Sequence, residues 1–171
     1  MSRTLFNHAG GSVTLPAKVL CDRSDGGHLV VHPPRPIWDR SALEVDELVA
    51  WSLLVAGTGA ALLETLPVLR DGCLNFWEAG NWSLHELASP VGPKQPRRDR
   101  RVHQHIFGRS PHARHADWAW GESPHFPAFT DSDHWSMQFA PLSASECDAI
   151  AERIETLMRT RFAAPSMRER S

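Results

Sequence analysis

The chain has 171 residues and a mass of 19.1 kDa, with 42% hydrophobic residues, 22% charged residues and a formal net charge of -2. This length suits one domain with its own core; three widely spaced cysteines argue against a disulfide framework or a thiol zinc finger, and the absence of tyrosine excludes a phenol nucleophile, although histidine (10) and tryptophan (7) are abundant. We therefore expect a reduced, cytoplasmic protein with no nucleic-acid partner, since a nearly neutral chain is poorly suited to general polyanion binding.

The first part of the chain predicts short strands followed by one long helix. Residues 1–11 lack the basic and apolar stretches of a signal peptide and are assigned as an N-terminal extension. Three β-prone runs predict strands: Ser12–Leu15, Lys18–Cys21 and His28–His32. A capping box at Ser41–Glu44 predicts the start of a helix that ends near Leu66, before Pro67.

That helix contains the longest uncharged run of the sequence. Sixteen residues separate Glu47 from Glu64, fewer than the roughly 20 apolar residues that a membrane span needs. We therefore predict a buried core helix and no membrane partner. Gly57 and Gly59 either weaken this helix locally or allow a neighbouring element to pack closely against it.

The second part of the chain predicts two more strands and a final helix. The strands are Cys73–Trp77 and Arg101–Phe107, separated by a long loop over residues 80–100. Residues 108–141 show little periodicity and are predicted to form an ordered but irregular excursion. A second capping box, Ser143–Glu146, predicts the start of the C-terminal helix.

Together these elements predict one α+β domain with a mostly antiparallel sheet, one long central helix and a C-terminal helix. Residues 12–109 form the main body of this domain. Residues 110–162 contain the excursion and the last helix, packed on the same domain, and residues 163–171 form a flexible tail.

The segment RVHQHIFGR, Arg101–Arg109, is the most informative for chemistry. On a strand, the side chains of Arg101, His103 and His105 share one face. A neutral imidazole nitrogen can attack phosphorus near neutral pH, and a guanidinium can hold phosphate oxygens. A strand HxH is also a common pair of metal ligands, and both histidines could be structural, so the pattern alone leaves three interpretations open.

This segment resembles the motif of the histidine triad (HIT) superfamily of nucleotide hydrolases and transferases, in which His-x-His-x-His precedes two apolar residues, a small residue or proline, and often arginine. His103 and His105 match the middle and last histidines, while Arg101 stands at the position of the first. In GHLVVHPPR, His28 resembles the family's upstream histidine. In LNF, Asn75 resembles an asparagine that helps to position phosphate.

The resemblance covers about residues 13–109 and implies a HIT-like fold and a nucleotide or dinucleotide substrate. The implied reaction is hydrolysis or transfer of a nucleoside monophosphate through a nucleotidyl-histidine, from a nucleoside polyphosphate, a dinucleoside polyphosphate or a nucleoside phosphoramidate. No cofactor is required, and a homodimer is implied. The site residues that it implies are the catalytic His103, His105 and His28 and the phosphate- or nucleotide-binding Asn75, Arg101 and Arg109.

Two other interpretations stay open. Arginine cannot accept a proton, so Arg101 is also consistent with a non-catalytic nucleotide-binding or signalling module with a degenerate triad. The second alternative is an enzyme that uses a divalent metal held by His103 and His105. Six of the ten histidines fall between His103 and His134, although Arg109 stands where such a metal site would supply a glutamate.

Charge and aromatic residues add two further observations. Between Lys94 and Arg114 there are seven basic residues and one acidic residue, a charge of +6, whereas the rest of the chain has eleven basic and nineteen acidic residues, a charge of -8. A basic segment before the HxH strand suits a polyphosphate substrate. Four tryptophans are expected to pack in the core or the loops, and the sequence does not select one for stacking on a nucleobase: Trp77, Trp82, Trp118 and Trp120.

Overall fold

A computed structural model describes residues 2–163, and within this range the chain forms five strands and four α-helices. The strands are β1 (Arg3–His8), β2 (Gly11–Leu15), β3 (His28–His32), β4 (Cys73–Ala79) and β5 (His103–Arg109). The helices are α1 (Val45–Thr65), α2 (Pro96–Asp99), α3 (Ser132–Ser136) and α4 (Ala144–Arg159). The strands form one sheet in the order β1-β2-β3-β5-β4, and every neighbouring pair is antiparallel. The predicted α+β class and antiparallel sheet are confirmed.

The N-terminal end of the sheet differs from the prediction. The assignment of residues 1–11 as an extension is wrong for β1, which pairs with β2 at the edge of the sheet. A bulge between Thr4 and Phe6 interrupts the register, so Leu5 and Phe6 both pack against the core. Such a bulge breaks the alternation of apolar and polar residues by which a strand is identified in a sequence.

The strand predicted at Lys18–Cys21 is also wrong. This segment is irregular, yet Val19, Leu20 and Cys21 are buried against the sheet. The backbone of Leu20 bonds to side chains instead of a neighbouring strand: its N–H donates to His28 Nδ1, at 3.1 Å, and its carbonyl accepts from Trp118 Nε1, at 2.9 Å. Hydrogen bonds to side chains from distant parts of the sequence therefore satisfy the backbone of Leu20, so this β-prone segment need not join the sheet.

One face of the sheet is covered by the two long helices. Strand residues such as Leu29, Val31 and Ile106 form a continuous apolar core with residues of α1 and α4, among them Trp51, Leu54, Leu62, Ile150 and Ile154. Of the two roles predicted for Gly57 and Gly59, close packing is the one observed. A Cβ atom at Gly57 would lie 2.7 Å from Met158 Sδ, and one at Gly59 would lie 2.9 Å from Leu74 Cδ1.

Both long helices begin with a capping box, but the first begins later than predicted. Asp39 accepts the Ser41 N–H and caps a short 3₁₀ turn, so α1 starts at Val45 with Glu44 and Glu47 forming the box. The box between Ser143 and Glu146 is confirmed at the start of α4. By length and composition alone α1 could cross a membrane, but it packs on the sheet as a core helix, which is compatible with a soluble protein.

The other face of the sheet is covered by irregular chain, mainly residues 16–27 and 110–143. A second apolar cluster lies here, rich in aromatic rings, and includes Val19, Leu20, Cys21, Phe107, Trp118 and Phe139. The carboxylate of Asp25 accepts the backbone N–H groups of Arg114 (2.8 Å) and His115 (3.1 Å), which ties the two irregular segments together. We call this the loop-covered face, and the opposite one the helix-covered face.

A contact between two glycines brings the first irregular segment against β5. The Gly108 N–H donates to Gly27 O at 3.1 Å, and Gly26 lies directly against Gly108. A Cβ atom at Gly108 would lie 2.1 Å from Gly26 O, and one at Gly26 would lie 2.3 Å from Gly108 C. Neither position can therefore carry a side chain without moving backbone.

The remaining predictions concern the loop at residues 80–100 and the tail. The loop is present and contains a 3₁₀ turn, Asn81–Leu84, and the short helix α2. Residues 164–171 of the predicted tail lie outside the described residues.

Candidate active site

The three histidines predicted to be catalytic lie together on the loop-covered face. His103 and His105 alternate along β5, and His28 begins β3, which is the neighbour of β5. The antiparallel register pairs His28 with Phe107 and Val30 with His105, so all these side chains point to the same side of the sheet. The HxH alternation and the strand pairing are thus sufficient to assemble the cluster.

A continuous chain of hydrogen bonds joins the three imidazoles. The Leu20 N–H donates to His28 Nδ1 at 3.1 Å, and His28 Nε2 lies 2.7 Å from His105 Nδ1. His105 Nε2 lies 2.9 Å from His103 Nε2, and His103 Nδ1 lies 2.9 Å from Arg101 O. We call this arrangement the histidine chain.

The two backbone ends of the histidine chain determine where each proton lies. A backbone N–H only donates and a carbonyl only accepts, so His28 Nδ1 is an acceptor and His103 Nδ1 is a donor. One placement of the ring protons gives every hydrogen bond a donor and an acceptor, whichever end of the chain is taken first. The protons then lie on His28 Nε2, His105 Nε2 and His103 Nδ1. The chain therefore holds three neutral rings, and an additional proton would bring two N–H groups face to face.

The environment also favours neutral rings. Burial lowers the pKa of His105 to about 3, with the neighbouring charges of His103 and His32 acting in the same direction. Burial lowers the pKa of His28 well below its usual value. The pKa of His103 is lowered by burial, a shift that its bond to the Arg101 carbonyl opposes and that the charge of Arg100 reinforces. All three imidazoles are consequently unprotonated bases at neutral pH.

His103 and His105 line a cavity of about 350 Å³, which is within the usual size range of small-molecule sites. We call it the histidine cavity. Its other lining residues come from residue 20, from the end of β4 with the turn that follows it, and from Arg101: Leu20, Trp77, Glu78, Ala79, Gly80, Asn81, Trp82 and Ser83. His103 attacks an electrophile through Nε2 in this tautomer; the Nε2 lone pair accepts the His105 Nε2–H at 2.9 Å, so that hydrogen bond must break when a substrate in the cavity is attacked.

Arg101 is the cationic side chain of the histidine cavity. It is exposed and donates to the Arg100 carbonyl at 2.8 Å, and the described part of the chain offers it no carboxylate partner. Two other arginines of the basic segment are already paired, Arg98 with Asp99 and Arg100 with Asp39, each at 3.0 Å. Arg101 is therefore the member of the segment best placed to meet an anion in this cavity.

The structure places Asn75 and Arg109 elsewhere. Buried Arg109 donates to Asn75 Oδ1 (2.7 Å) and to the carbonyls of Ala119 (2.7 Å) and Glu122 (2.9 Å), and so it holds the irregular excursion to the sheet. Both side chains line a second cavity, of about 430 Å³, together with Trp120 and others. Of the six predicted site residues, four gather at or behind the histidine cavity and these two do not.

Two side chains and one backbone group beside the histidine chain were not predicted as parts of the site: those of Trp77 and His32, and the N–H of Leu20. Trp77, opposite His105 on β4, stacks on its ring with 5.4 Å between centroids. His32 Nε2 shares a hydrogen bond with Thr14 Oγ1 at 3.2 Å, and the His32 ring lies beside that of His103. Alternation along the predicted strand would have placed Trp77 on the face of Asn75, but no sequence signal marks the backbone N–H of Leu20.

Within residues 2–163 no group of three or more His, Cys, Asp or Glu side chains is arranged to hold a metal ion. The nitrogens of His28, His103 and His105 face one another in hydrogen bonds and do not converge on a common point.

The comparisons with known proteins give no independent family assignment. The chain matches no protein-family model, and a search of curated proteins finds no match. The likeness to the HIT superfamily therefore depends on the residues of the histidine chain and their sequence context.

Proposed function

We propose that the protein is a HIT-like nucleotide hydrolase or nucleotidyl transferase in which His103 is the nucleophile. Its substrate would be a nucleoside polyphosphate, a dinucleoside polyphosphate or a nucleoside phosphoramidate. The observation that carries the proposal is the histidine chain: His103 has its proton on Nδ1, bonded to Arg101 O, and its lone pair on Nε2. A neutral imidazole with a fixed tautomer at a cavity beside an arginine suits attack on phosphorus.

The first step transfers the nucleoside monophosphate to His103. The Nε2 lone pair forms a bond to the α-phosphorus while the bond from phosphorus to the leaving group breaks, and the leaving group departs with that electron pair. His103 becomes a cationic nucleotidyl-imidazole whose Nδ1–H still donates to the Arg101 carbonyl. The His105 Nε2–H loses its acceptor, because the His103 Nε2 lone pair now bonds phosphorus, and it donates to a phosphate oxygen instead. The Arg101 guanidinium binds the other non-bridging oxygens.

The histidine chain supplies hydrogen bonds in this step and no net proton. If His105 gave up its proton, a replacement would have to come from His28, which would be left as an imidazolate facing the Leu20 N–H. A phosphate leaving group therefore departs as an anion, and an amine leaving group takes its proton from water.

The second step releases the nucleotide. Water attacks phosphorus, the electron pair of the P–N bond returns to His103 Nε2, and the remaining proton of the water passes to solvent. One water is consumed in each complete turnover. In transfer, an alcohol or phosphate acceptor takes the place of water.

The test is the substitution His103→Ala, with His112→Ala as a matched control because His112 is an exposed histidine outside the chain. With a nucleoside phosphoramidate and a diadenosine polyphosphate as substrates, we expect His103→Ala to lower kcat at least about 1,000-fold and the control to keep it. Mass spectrometry of quenched wild-type reactions should find the nucleotidyl adduct on His103. Undiminished turnover by a folded His103→Ala variant would refute the assignment.

A specific observation favours a second candidate, a non-catalytic nucleotide-binding module. Arg101 occupies the position at which the HIT motif has its first histidine, and its guanidinium can hold phosphate without exchanging a proton. This candidate predicts that wild-type protein binds the same substrates and forms neither product nor adduct. Product formation in the His103 experiment therefore separates the two candidates.

A further inference from the structure

The histidine cavity is lined by two chemically different kinds of side chain. One kind comprises the groups that the proposed function assigns to phosphate, namely Arg101, His103 and His105. The other kind is aromatic and includes Trp82, in the turn that follows β4. A nucleotide has the same division, with an anionic phosphate at one end and a flat aromatic base at the other. The nucleobase is therefore the ligand group that would match the aromatic lining of the cavity.

Two tryptophans line the cavity, and they differ in their contacts with other aromatic rings. The ring of Trp77 stacks with two rings: His105, with 5.4 Å between centroids, and Phe126, with 4.3 Å between centroids and 23° between planes. For Trp82, the ring contact found among the described residues is an edge contact to Phe129, at 6.2 Å and 75°. Among the described residues no aromatic ring stacks on Trp82, whereas two stack on Trp77, so Trp82 is the better placed of the two to receive a stacked base.

The backbone holds Trp82 close to the residues assigned to phosphate. Ala79, the last residue of β4, pairs with His103, and Trp82 follows three residues later in the turn Asn81–Leu84. Gly80, at φ 152°, begins this turn close to the residues that precede β5, because a Cβ atom there would lie 2.9 Å from Arg101 O.

Two hydrogen bonds stabilise the same turn. Ser83 Oγ donates to Gly80 O at 2.6 Å, and Arg100 Nε donates to Asn81 Oδ1 at 3.1 Å. The ring of Trp82 is thus carried by a segment fixed to the residues that precede the HxH strand, and little reorganisation is needed when a ligand enters.

We infer that Trp82 is the platform on which the base of the transferred nucleoside monophosphate stacks, with its phosphate against Arg101 and His103. This inference rests on the proposed function and assigns its substrate recognition. Stacking on tryptophan tolerates different bases because each has a π-face, so we expect binding of both purine and pyrimidine monophosphates. The residue belongs to the loop at residues 80–100, and the sequence did not select it over the other tryptophans for stacking.

The test measures binding of three probes by calorimetry: adenosine monophosphate, uridine monophosphate and ribose 5-phosphate, which has no base. Trp82→Leu should weaken binding of both nucleotides about tenfold or more and leave ribose 5-phosphate unchanged, since only the base loses its partner. Trp82→Phe should retain most of the affinity because it keeps a ring. The matched control is Trp120→Leu, a half-exposed tryptophan at the second cavity, which should bind all three probes as wild type does.

Several outcomes overturn the inference. Equal nucleotide affinity in wild type and Trp82→Leu would do so, as would an equal loss for ribose 5-phosphate, or a wild-type protein that binds neither nucleotide. The failure of the proposed function is a different result, namely normal turnover by His103→Ala. Circular dichroism of each variant establishes that it is folded before binding is measured.

Discussion

The two faces of the sheet are built in different ways. On the helix-covered face, α1 and α4 pack aliphatic side chains against β2, β3 and β5, and the contacts are almost wholly apolar. On the loop-covered face, irregular chain covers aromatic rings and three buried or half-buried histidines that directional hydrogen bonds join, while Arg109 Nε and Trp135 Nε1 have no partner among the described residues. Apolar packing stabilises the fold on one side, while directional hydrogen bonds define the chemistry on the other.

Two buried tryptophans show the difference at the level of one atom. Trp51 of α1 and Trp118 of the excursion are both fully buried. Trp118 Nε1 donates to the Leu20 carbonyl at 2.9 Å, whereas Trp51 Nε1 has no hydrogen-bond partner among the described residues. The indole N–H of Trp51 on the helix-covered face is thus unpaired, whereas that of Trp118 on the loop-covered face holds the residue that begins the histidine chain. The contrast is specific to this pair, because Trp135 Nε1 on the loop-covered face is also unpaired among the described residues.

The largest expected effect is on the helix-covered face. Leu54 is 0% exposed, and Leu54→Ala should lower the free energy of unfolding by about 2–5 kcal/mol, because the substitution removes buried methyl groups and leaves a cavity. Nucleotide binding by the folded protein should be unchanged, since Leu54 lies across the sheet from the histidine cavity. Urea denaturation and calorimetry measure both quantities. Leu87→Ala, at a leucine that is 61% exposed, is the control, and a loss at Leu54 no greater than that at Leu87 would contradict the comparison.

The second prediction compares the two tryptophans. Trp118→Phe removes a hydrogen bond and leaves the Leu20 carbonyl without its donor, whereas Trp51→Phe removes an unpaired donor and keeps a ring beneath Arg40. We therefore expect Trp118→Phe to lower the free energy of unfolding by about 1–3 kcal/mol more than Trp51→Phe. Equal losses in urea denaturation would show that the Leu20 bond contributes nothing.

The third prediction is a pH dependence that arises on the loop-covered face. The folded-state pKa values of His28, His103 and His105 lie below the unfolded value near 6.5, so below that pH the unfolded chain binds protons that the folded chain excludes. Stability is therefore full above about pH 6.5 and falls as the pH is lowered toward the folded values, which for His105 is about 3. Each excluded proton contributes a slope of up to about 1.4 kcal/mol per pH unit.

Removing one ring isolates this contribution. His28→Gln removes one group that binds a proton only in the unfolded state. Between pH 6 and pH 4, it should therefore reduce the slope of the unfolding free energy against pH by up to about 1.4 kcal/mol per pH unit. His112→Gln provides the control for loss of a histidine outside the chain. A His28→Gln slope identical to that of wild type would mean that His28 is not held neutral by the fold.

The features that could be predicted from the sequence are those with a local cause. The capping box at Ser143 depends on residues three apart, and the alternation of His103 and His105 depends on residues two apart, so both are readable in one segment. Long-range pairing with β3 then adds His28, whose place was inferred from the HIT resemblance and not from spacing.

The features that were missed depend on contacts between distant segments. Alternation correctly places Arg109 on the face of His103, but its partners are carbonyls of Ala119 and Glu122, which no local pattern connects to it. Likewise, the selection between Trp77 and Trp82 depends on Phe126, which covers one ring and not the other. Spacing along a strand predicts the face of the sheet to which each side chain points. The fold of the excursion determines which of those side chains stay accessible.

The contact between Gly26 and Gly108 has a consequence for the history of this chain. Most tight contacts in a protein can drift, because a larger residue on one side is offset by a smaller one on the other. Here both partners already have the smallest residue, and their backbones touch. No substitution at either position has a compensating substitution at the other, so selection must act on each glycine independently, and a change at this point requires a rebuilt loop.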